Sequence, residues 1–181
     1  MKPYVILSRR KTTINHAFAS AIAPSDLYDD SVVREAICLL GQNPDLDLEC
    51  AYCGQVAQTW DHVFATVKDS KFSGHGHRLG NLLPCCKACN SAKGNKDWLV
   101  FLRGLKLPKV QLDSAELGIS RYLEAFSVQD VVPEGSSEYL ELQALRVEVL
   151  ELLAKADGLA KDIRDKQSNC SLNRTNQSLR D

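Results

Sequence analysis

Three features that mark other classes of protein are missing from this sequence. It has no apolar run of the ~18 residues that a membrane-spanning helix needs, and the short apolar segment near its start, MKPYVILSRRKTT, has charged residues on both sides. We therefore expect neither a membrane span nor a signal peptide. The net charge is only −1, so the chain is not a generally basic DNA-coating protein. Its 181 residues, 44% of them apolar, fit one globular unit or a small core with helical additions.

Cysteine is the residue whose arrangement is most informative. Four of the seven cysteines form two pairs with the same spacing, Cys50-x-x-Cys53 and Cys86-x-x-Cys89. Two such turns make a tetrahedral four-thiolate site, for which Zn²⁺ is the favoured ion. An iron–sulfur cluster or redox disulfides could use the same sulfurs, but nothing else in the chain indicates electron transfer, and the redox motif normally occurs once. Thiolates and unpaired cysteines favour a reducing cytoplasm.

Three cysteines lie outside these pairs. Cys85 is a competing ligand beside Cys86, but the two-residue gap to Cys89 favours Cys86. Cys38 is predicted to be a small buried hydrophobe, and Cys170 a thiol in the tail.

The segment between and after the cysteine pairs is predicted to form two strands and a helix. Residues 59–67 (TWDHVFATV) predict a strand, on which Asp61 and His62 point to opposite faces. Residues 78–84 (RLGNLLP) predict a second extended segment, and the glycine-rich loop before it permits a hairpin with a long connection. Residues 90–105 (NSAKGNKDWLVFLRGL) predict a helix.

In order and spacing, these residues resemble the HNH, or ββα-metal, nuclease family over about a quarter of the chain. The resemblance is to members with a zinc clip, such as phage recombination endonucleases and HNH restriction endonucleases. It implies an α+β fold with a ββα-metal core, in which Asp61 and Asn90 hold a catalytic Mg²⁺ or Mn²⁺ ion and His62 is the general base. Asn81 takes the place of the asparagine that orients the histidine through a backbone or ring hydrogen bond. Lys93 falls where family members often carry a basic residue.

Phosphodiester hydrolysis itself explains these residue types. It requires a water molecule deprotonated near neutral pH, and the ordinary pKa of histidine lies in that range. A divalent cation on oxygen ligands stabilises the charge that develops on the phosphate. Each residue also has an ordinary structural role: His62 in a core, Asp61 as a cap, Asn81 in a turn and Asn90 as a helix N-cap. Their joint spacing between and beside the cysteine pairs favours the nuclease interpretation.

Basic residues are concentrated on the same segment. Residues 50–106 carry 8 basic and 3 acidic side chains, whereas the segments on either side carry an acidic excess. This distribution fits a phosphate backbone, and we expect Arg78, Lys93 and Lys96 to contact DNA. A restriction or anti-phage role fits such an enzyme. The alternatives are a nuclease directed to RNA or to a particular nucleic-acid structure, and a catalytically silent zinc module that only binds nucleic acid.

The loop histidines His75 and His77 are open to two interpretations. Such a pair is ordinarily solvated, and the alternative is a role in binding metal or DNA.

The part of the chain before the cysteine motif is predicted to brace it. Residues 1–45 contain a predicted strand over residues 1–8 and predicted helices over residues 13–23 and 29–40. Residues 46–108 are then the zinc-bound core.

The part after the core is predicted to be helical over residues 109–166. A capping box from Asp113 to Glu116 starts one helix. A later helix carries apolar residues at alternating steps of three and four, which is a heptad seam over residues 142–163 through which two copies could form a homodimer. The polar residues 167–181 are predicted to be a disordered tail.

Overall fold

The computed structural model describes the backbone of residues 2–177 and the side chains of residues 2–168. Over this part of the chain the fold is mixed, with six helices and four short strands. The chain divides into two compact units, one formed by its two ends, up to Phe18 and from Pro133, and the other by Ala19–Val132. Among the described residues, no helix has both the length and the apolar character needed to cross a membrane.

The unit formed by the two ends of the chain is helical. Helix α1 (Ile6–Ile22) begins in it, and the last helix, α6 (Ser137–Gln177), makes up most of it. The carboxylate of Asp157 in α6 accepts hydrogen bonds from the backbone N–H groups of Ile6 and Leu7, at 2.7 and 2.9 Å. First-turn N–H groups have no partner inside their own helix, so α6 supplies the cap that α1 needs. The strand predicted over residues 1–8 is therefore wrong.

Helix α6 confirms that residues 142–163 are helical and extends beyond them in both directions. It runs to Gln177, so the segment predicted as a disordered tail is helical up to that residue, and residues 178–181 lie outside the described residues. Four apolar side chains of the predicted seam are 47–59% exposed: Leu145, Leu152, Leu159 and Ile163.

The second unit contains helix α2 (Asp30–Leu39). The side chain of Asp29 caps it by accepting hydrogen bonds from the backbone N–H groups of Ser31 and Val32, at 2.9 and 3.3 Å. This cap agrees with the helix predicted over residues 29–40. Cys38, near the end of α2, is exposed, which corrects the prediction that its thiol is buried.

Two small antiparallel sheets follow in the same unit. Strand β1 (Thr59–His62) pairs with β4 (Leu82–Cys85), so the predicted hairpin is present with shorter strands. Between them, β2 (Val67–Lys68) pairs with β3 (Lys71–Phe72). Asp69 and Ser70 join these two strands at φ values of 52° and 66°, as a tight two-residue hairpin turn requires.

Two short helices follow β4 where one was predicted. Helix α3 (Lys87–Lys93) ends at Gly94, whose φ of 50° is in the left-handed region that glycine adopts easily. Helix α4 (Trp98–Arg103) begins after Asp97, whose carboxylate accepts from two backbone N–H groups of the first turn. A helix-ending glycine and a helix-capping aspartate only three residues apart break the helix predicted over residues 90–105.

Helix α5 (Lys109–Phe126) begins directly after Pro108, four residues earlier than predicted. Asp113 and Glu116 therefore lie inside the helix and do not form a capping box. They make ion pairs instead, Asp113 with Lys109 at 2.7 Å and Glu116 with Arg103 at 2.6 Å.

A tyrosine on α5 fixes the start of β4. The Tyr122 hydroxyl donates to the carbonyl of Leu82 at 2.6 Å and accepts from the N–H of Gly80 at 2.7 Å. The centre of the core consists of fully buried side chains from four parts of this unit: Tyr52, Leu83, Leu102, Ile119 and Tyr122.

Candidate metal centre and adjacent polar residues

Four cysteine sulfurs converge in the second unit. The Sγ atoms of the cysteine cluster, Cys50, Cys53, Cys86 and Cys89, all lie within 4.8 Å of one another. The Sγ atoms of Cys53 and Cys86 are 3.7 Å apart. A tetrahedral site with Zn–S bonds of about 2.3 Å has S–S edges of about 3.8 Å, so the cluster fits an ion of this size. The four cysteines could therefore bind a metal ion such as zinc.

Local structure brings each pair of sulfurs together. In the first pair, a tight turn is closed by the N–H of Gly54, which donates to the carbonyl of Cys50 at 2.9 Å. In the second, Cys86 directly follows β4 and is the N-cap of α3, where its Sγ accepts from the N–H of Cys89 at 3.4 Å. The N–H groups at the start of α3 stabilise negative charge on that sulfur.

Cys85 lies outside the four-sulfur group, although its sulfur is 3.8 Å from that of Cys50. The neighbouring Cys85 thiol lowers the pKa of Cys50 to about 4, and the same contact, together with burial, raises the pKa of Cys85. Burial raises the pKa of Cys53 and Cys89. Four thiolates in this apolar setting need a cation to balance their charge.

Asp61 is buried on the face of β1 that meets α3. Its Oδ2 atom accepts a hydrogen bond from the Tyr52 hydroxyl at 2.8 Å and pairs with the Lys93 ammonium group at 3.0 Å. Burial raises the pKa of Asp61, and the hydrogen bonds from Lys93 and Tyr52 oppose that shift. Both contacts are made by Oδ2, so Oδ1 is the oxygen with no hydrogen bond described.

Lys93 has a different role from the one predicted. Its side chain is 1% exposed, and its Nζ also donates to the carbonyl of His62 at 2.7 Å. A buried ammonium group that neutralises Asp61 is not available to a phosphate backbone. The prediction that Lys93 contacts DNA is therefore corrected.

Asn90 lies one helical turn before Lys93 on α3, and the two residues share the face that packs against β1. Its amide Nδ2 donates to the carbonyl of Trp60 at 3.2 Å and to Oγ1 of Thr59 at 3.3 Å. The side-chain oxygen has no hydrogen-bond partner among the described residues. Asn90 and Asp61 thus both belong to the same strand–helix contact, and in each of them the described side-chain contacts leave out the Oδ1 atom.

His62 follows Asp61 on β1 and faces the other way. It is half-buried, whereas Asp61 is buried, as the alternation of a strand requires. Its Nε2 atom is 2.8 Å from Nδ1 of His77, and the two rings meet edge to face with centroids 4.9 Å apart.

Asn81 is buried and ties the histidines to each other through the backbone. Its Oδ1 accepts from the N–H of Phe64 at 2.8 Å, and its Nδ2 donates to the carbonyl of Gly76 at 2.9 Å. Phe64 follows His62 by two residues, and Gly76 directly precedes His77. The resemblance allows asparagine to orient the histidine through a hydrogen bond either to the backbone or to the ring. Both described hydrogen bonds of the Asn81 side chain are to backbone groups.

The two remaining predicted DNA contacts differ from each other. Arg78 makes ion pairs with Asp26 at 3.1 Å and Asp130 at 3.0 Å, so its charge is already balanced. Lys96 is exposed, and its Nζ donates to the carbonyl of Ala92 at 2.8 Å. Of the three predicted residues, Lys96 is the exposed one.

Sequence reasoning assigns no role to Tyr52 and leaves the roles of His75 and His77 open. Tyr52 lies between the first two cysteines, where its hydroxyl reaches Asp61, and no local pattern indicates this contact. His77 and His75 look alike in sequence, but His75 stacks on Phe64 with ring centroids 4.6 Å apart, and burial lowers its pKa. The short spacing from His77 to Asn81 is the one signal that links His77 to the motif.

Comparison of the chain with family models, with characterised proteins and with solved structures found no match in any of the three. The chemistry of the site is therefore inferred from its own residues.

Proposed function

We propose that the protein is a divalent-metal-dependent endonuclease with a ββα-metal core that hydrolyses phosphodiester bonds in DNA. The observation that supports this best is that Asp61, His62 and Asn90 belong to one strand–helix contact: β1 carries the first two, and α3, which packs on β1, carries the third. The cysteine cluster joins the start of α3 to the turn before β1, and we propose Zn²⁺ as its ion. Zinc thiolates and unpaired cysteines suit a reducing compartment such as the cytoplasm.

The Oδ1 atoms of Asp61 and Asn90 are the proposed donors for a second, catalytic ion. Mg²⁺ and Mn²⁺ prefer oxygen ligands and need only one or two from the protein, because water and phosphate complete the shell. When bound, such an ion stabilises negative charge on the phosphate and on the leaving oxygen.

His62 is the proposed general base. It lies on the half-exposed face of β1, so a water molecule can reach its ring. The ring takes a proton from that water, the resulting hydroxide forms a bond to phosphorus, and the P–O bond to the leaving oxygen breaks. The leaving oxygen then takes a proton from solvent. Asn81 holds the backbone two residues after His62 and thereby helps to fix the position of its ring.

DNA is the proposed substrate because the site lies in the basic part of the chain. Residues 50–106 carry 8 basic and 3 acidic side chains. Lys96, exposed after α3, is the proposed phosphate contact. Neutralising phosphate charges with such residues makes binding salt-dependent and independent of sequence.

One observation favours the alternative of a catalytically silent zinc module that only binds nucleic acid. The Lys93 ammonium group is 3.0 Å from Asp61 Oδ2, where it already supplies the positive charge that a metal ion would bring. In a silent module, Asp61 would stay paired with Lys93 and would bind no metal ion.

Plasmid cleavage separates the two functions. The zinc-loaded protein is expected to cut supercoiled plasmid in the presence of Mg²⁺ or Mn²⁺. Mild EDTA is expected to stop cleavage, and added Mg²⁺ to restore it, because a site with few protein ligands releases its ion long before a four-thiolate site does. Circular dichroism after the EDTA step checks that the fold persists. DNA binding without cleavage in either ion contradicts the proposal and identifies the silent module, and cleavage of labelled RNA alone identifies an RNA-directed enzyme.

We also propose that α6 pairs two copies of the chain. Leu145, Leu152 and Leu159 recur every seven residues and are 47%, 57% and 59% exposed, which is the pattern of a helix seam that packs on another helix. A symmetric pair carries two centres, so it could cut both DNA strands without two successive visits of a single centre.

Replacing Leu145 and Leu152 together by glutamate is expected to give a monomer in light scattering that nicks plasmid instead of linearising it. Like charges would then face each other across the seam. The matched control replaces Leu140 and Val147, which are 58% and 45% exposed on α6 but off the seam, and it is expected to stay dimeric. A wild-type protein that is monomeric at micromolar concentration, free and on DNA, rules out the pairing.

A further inference from the structure

Two lysines on the β2–β3 hairpin take no part in the contacts described so far. Lys68 and Lys71 lie directly opposite each other in the strand pair, so their side chains leave the same face of the hairpin. Both are exposed, and among the described residues neither forms an ion pair with a carboxylate. Like charges directly opposite each other destabilise a strand pair. A local rule that is broken without a compensating contact indicates a role outside the hairpin.

A cavity of about 540 Å³ lies beside this hairpin. Lys68 lines it from β2, and Lys96 lines it from the segment between α3 and α4, so two positively charged side chains border the same space. Val63 and Phe64, the two residues that follow His62, also line it. The cavity therefore begins where strand β1 ends, next to the proposed general base. Its volume is within the ~300–1,000 Å³ that ligand sites ordinarily occupy.

Two carboxylates line the same cavity, and each already has a structural role. Asp97 accepts hydrogen bonds from two backbone N–H groups in the first turn of α4, at 2.9 and 3.0 Å, which offset its charge. Asp69 is in the hairpin turn at a φ of 52°, which aspartate adopts more easily than most residues do. Lys96 Nζ donates to the neutral carbonyl of Ala92 at 2.8 Å, and no carboxylate in the described part of the chain pairs with it.

We propose that Lys68, Lys71 and Lys96 form a cationic cleft that binds the phosphates of DNA next to the phosphate that is cut. This inference rests on the proposed function and names the surface by which that site holds its substrate. A lysine ammonium group contacts phosphate as a point charge and reads no base, so the cleft binds the phosphodiester backbone whatever its sequence. The other basic side chains predicted to contact DNA, Lys93 and Arg78, are paired with carboxylates. The cleft supplies the positive charge that they do not.

A DNA strand is a ligand that can occupy the centre and the cleft together. Neighbouring phosphates of one strand are only about 3.4 Å apart along the duplex axis. A strand with one phosphate at His62 therefore has further phosphates near a cavity that begins at Val63. A single phosphate ion would fill only one of these positions.

The salt dependence of DNA binding tests the cleft. A short fluorescein-labelled duplex is titrated with the zinc-loaded protein in mild EDTA, which prevents cleavage, and fluorescence anisotropy gives the dissociation constant at several salt concentrations. Each lysine–phosphate contact contributes about 0.9 to the slope of log affinity against log salt concentration. The variant Lys68→Gln/Lys71→Gln/Lys96→Gln is therefore expected to reduce that slope by about 2 to 3 and to weaken binding by about 10²–10³-fold at ~0.1 M salt.

The matched control is Lys106→Gln/Lys109→Gln/Arg121→Gln. These three residues are exposed in the same unit and do not line the cavity, so the control loses the same net charge at other positions. It is expected to bind DNA with nearly the wild-type affinity and slope. An equal loss of affinity in both triple variants shows that only net charge matters, and it overturns the cleft.

The single variant Lys71→Gln separates DNA binding from a structural role. Removing one of two opposed like charges is expected to keep the midpoint of thermal unfolding at or above the wild-type value, while the slope falls by about 0.9. A lower midpoint with unchanged DNA binding shows that the lysine supports the hairpin, and it overturns the proposal.

Failure of the cleft and failure of the nuclease give different results. A variant without the three cleft lysines that binds DNA with wild-type affinity and slope overturns the cleft, whether or not the protein cuts. A wild type that binds DNA but cuts no nucleic acid with Mg²⁺ or Mn²⁺ overturns the proposed function, and the slopes still decide the cleft. A wild type that binds no DNA overturns both.

Discussion

Replacing His62 by alanine is expected to lower the rate of plasmid cleavage by several orders of magnitude while the protein stays folded, keeps its zinc and still binds DNA. Loss of a general base alone accounts for about 10²–10⁴-fold. The fold should tolerate the change because His62 is only half-buried. Strand β1 is also held by its pairing with β4 and by the hydrogen bond that Lys93 Nζ donates to the backbone carbonyl of residue 62, which alanine retains.

The measurement is the initial rate of plasmid cleavage at saturating Mg²⁺, with zinc content and thermal unfolding recorded on the same sample. His16→Ala is a matched control, because His16 is an exposed histidine in the other unit of the chain. Cleavage by the His62→Ala variant at near the wild-type rate would show that the base has been wrongly assigned.

Replacing Cys53 or Cys89 by serine is expected to yield protein that does not fold. A structural zinc ion on four thiolates supplies about 10–16 kcal/mol of apparent binding energy, which is as large as the whole stability of an ordinary domain. Loss of the ion also removes the link between the turn before β1 and the start of α3, so the contact that carries Asp61 and Asn90 loses its support.

Cys85→Ser is the matched control for these variants. Cys85 is fully buried but lies outside the four-sulfur group, and a serine hydroxyl can donate to the carbonyl of Cys86, which the thiol contacts at 3.4 Å. This variant is expected to be soluble and to contain zinc. Elemental analysis of the folded wild type should give about one zinc per chain, and less than half of that amount contradicts the four-thiolate site.

The parts of the structure that follow from sequence are those whose causes are local. The cap of α2 is the residue just before it, Asp29. The two cysteine spacings each describe one turn, and the cluster needs only those turns to meet. The alternation of Asp61 and His62 across β1 follows from the geometry of a strand.

The predictions that failed depend on partners far away in the chain. α1 starts at Ile6 because Asp157, about 150 residues later, supplies its cap. The sequence predicts a DNA contact for Lys93 because it lies in a basic segment, but its side chain is buried, where Asp61 from β1 neutralises it. The spacing of Lys93 from Asn90 predicts that both lie on the same face of a helix. It does not predict that this face packs against a strand that carries the carboxylate of Asp61.

The buried pair of Lys93 and Asp61 has a consequence for the order in which an ion and a substrate load. The ammonium group of Lys93 balances the carboxylate of Asp61, so the site has no net charge before Mg²⁺ binds. Binding of Mg²⁺ would give the site a charge of +2. The phosphate of DNA offsets this excess, so ion and substrate raise each other's affinity by the same factor. In the plasmid assay, the Mg²⁺ concentration for half-maximal cleavage should therefore fall as the DNA concentration rises. The enzyme would then hold its catalytic ion mainly while a strand is bound.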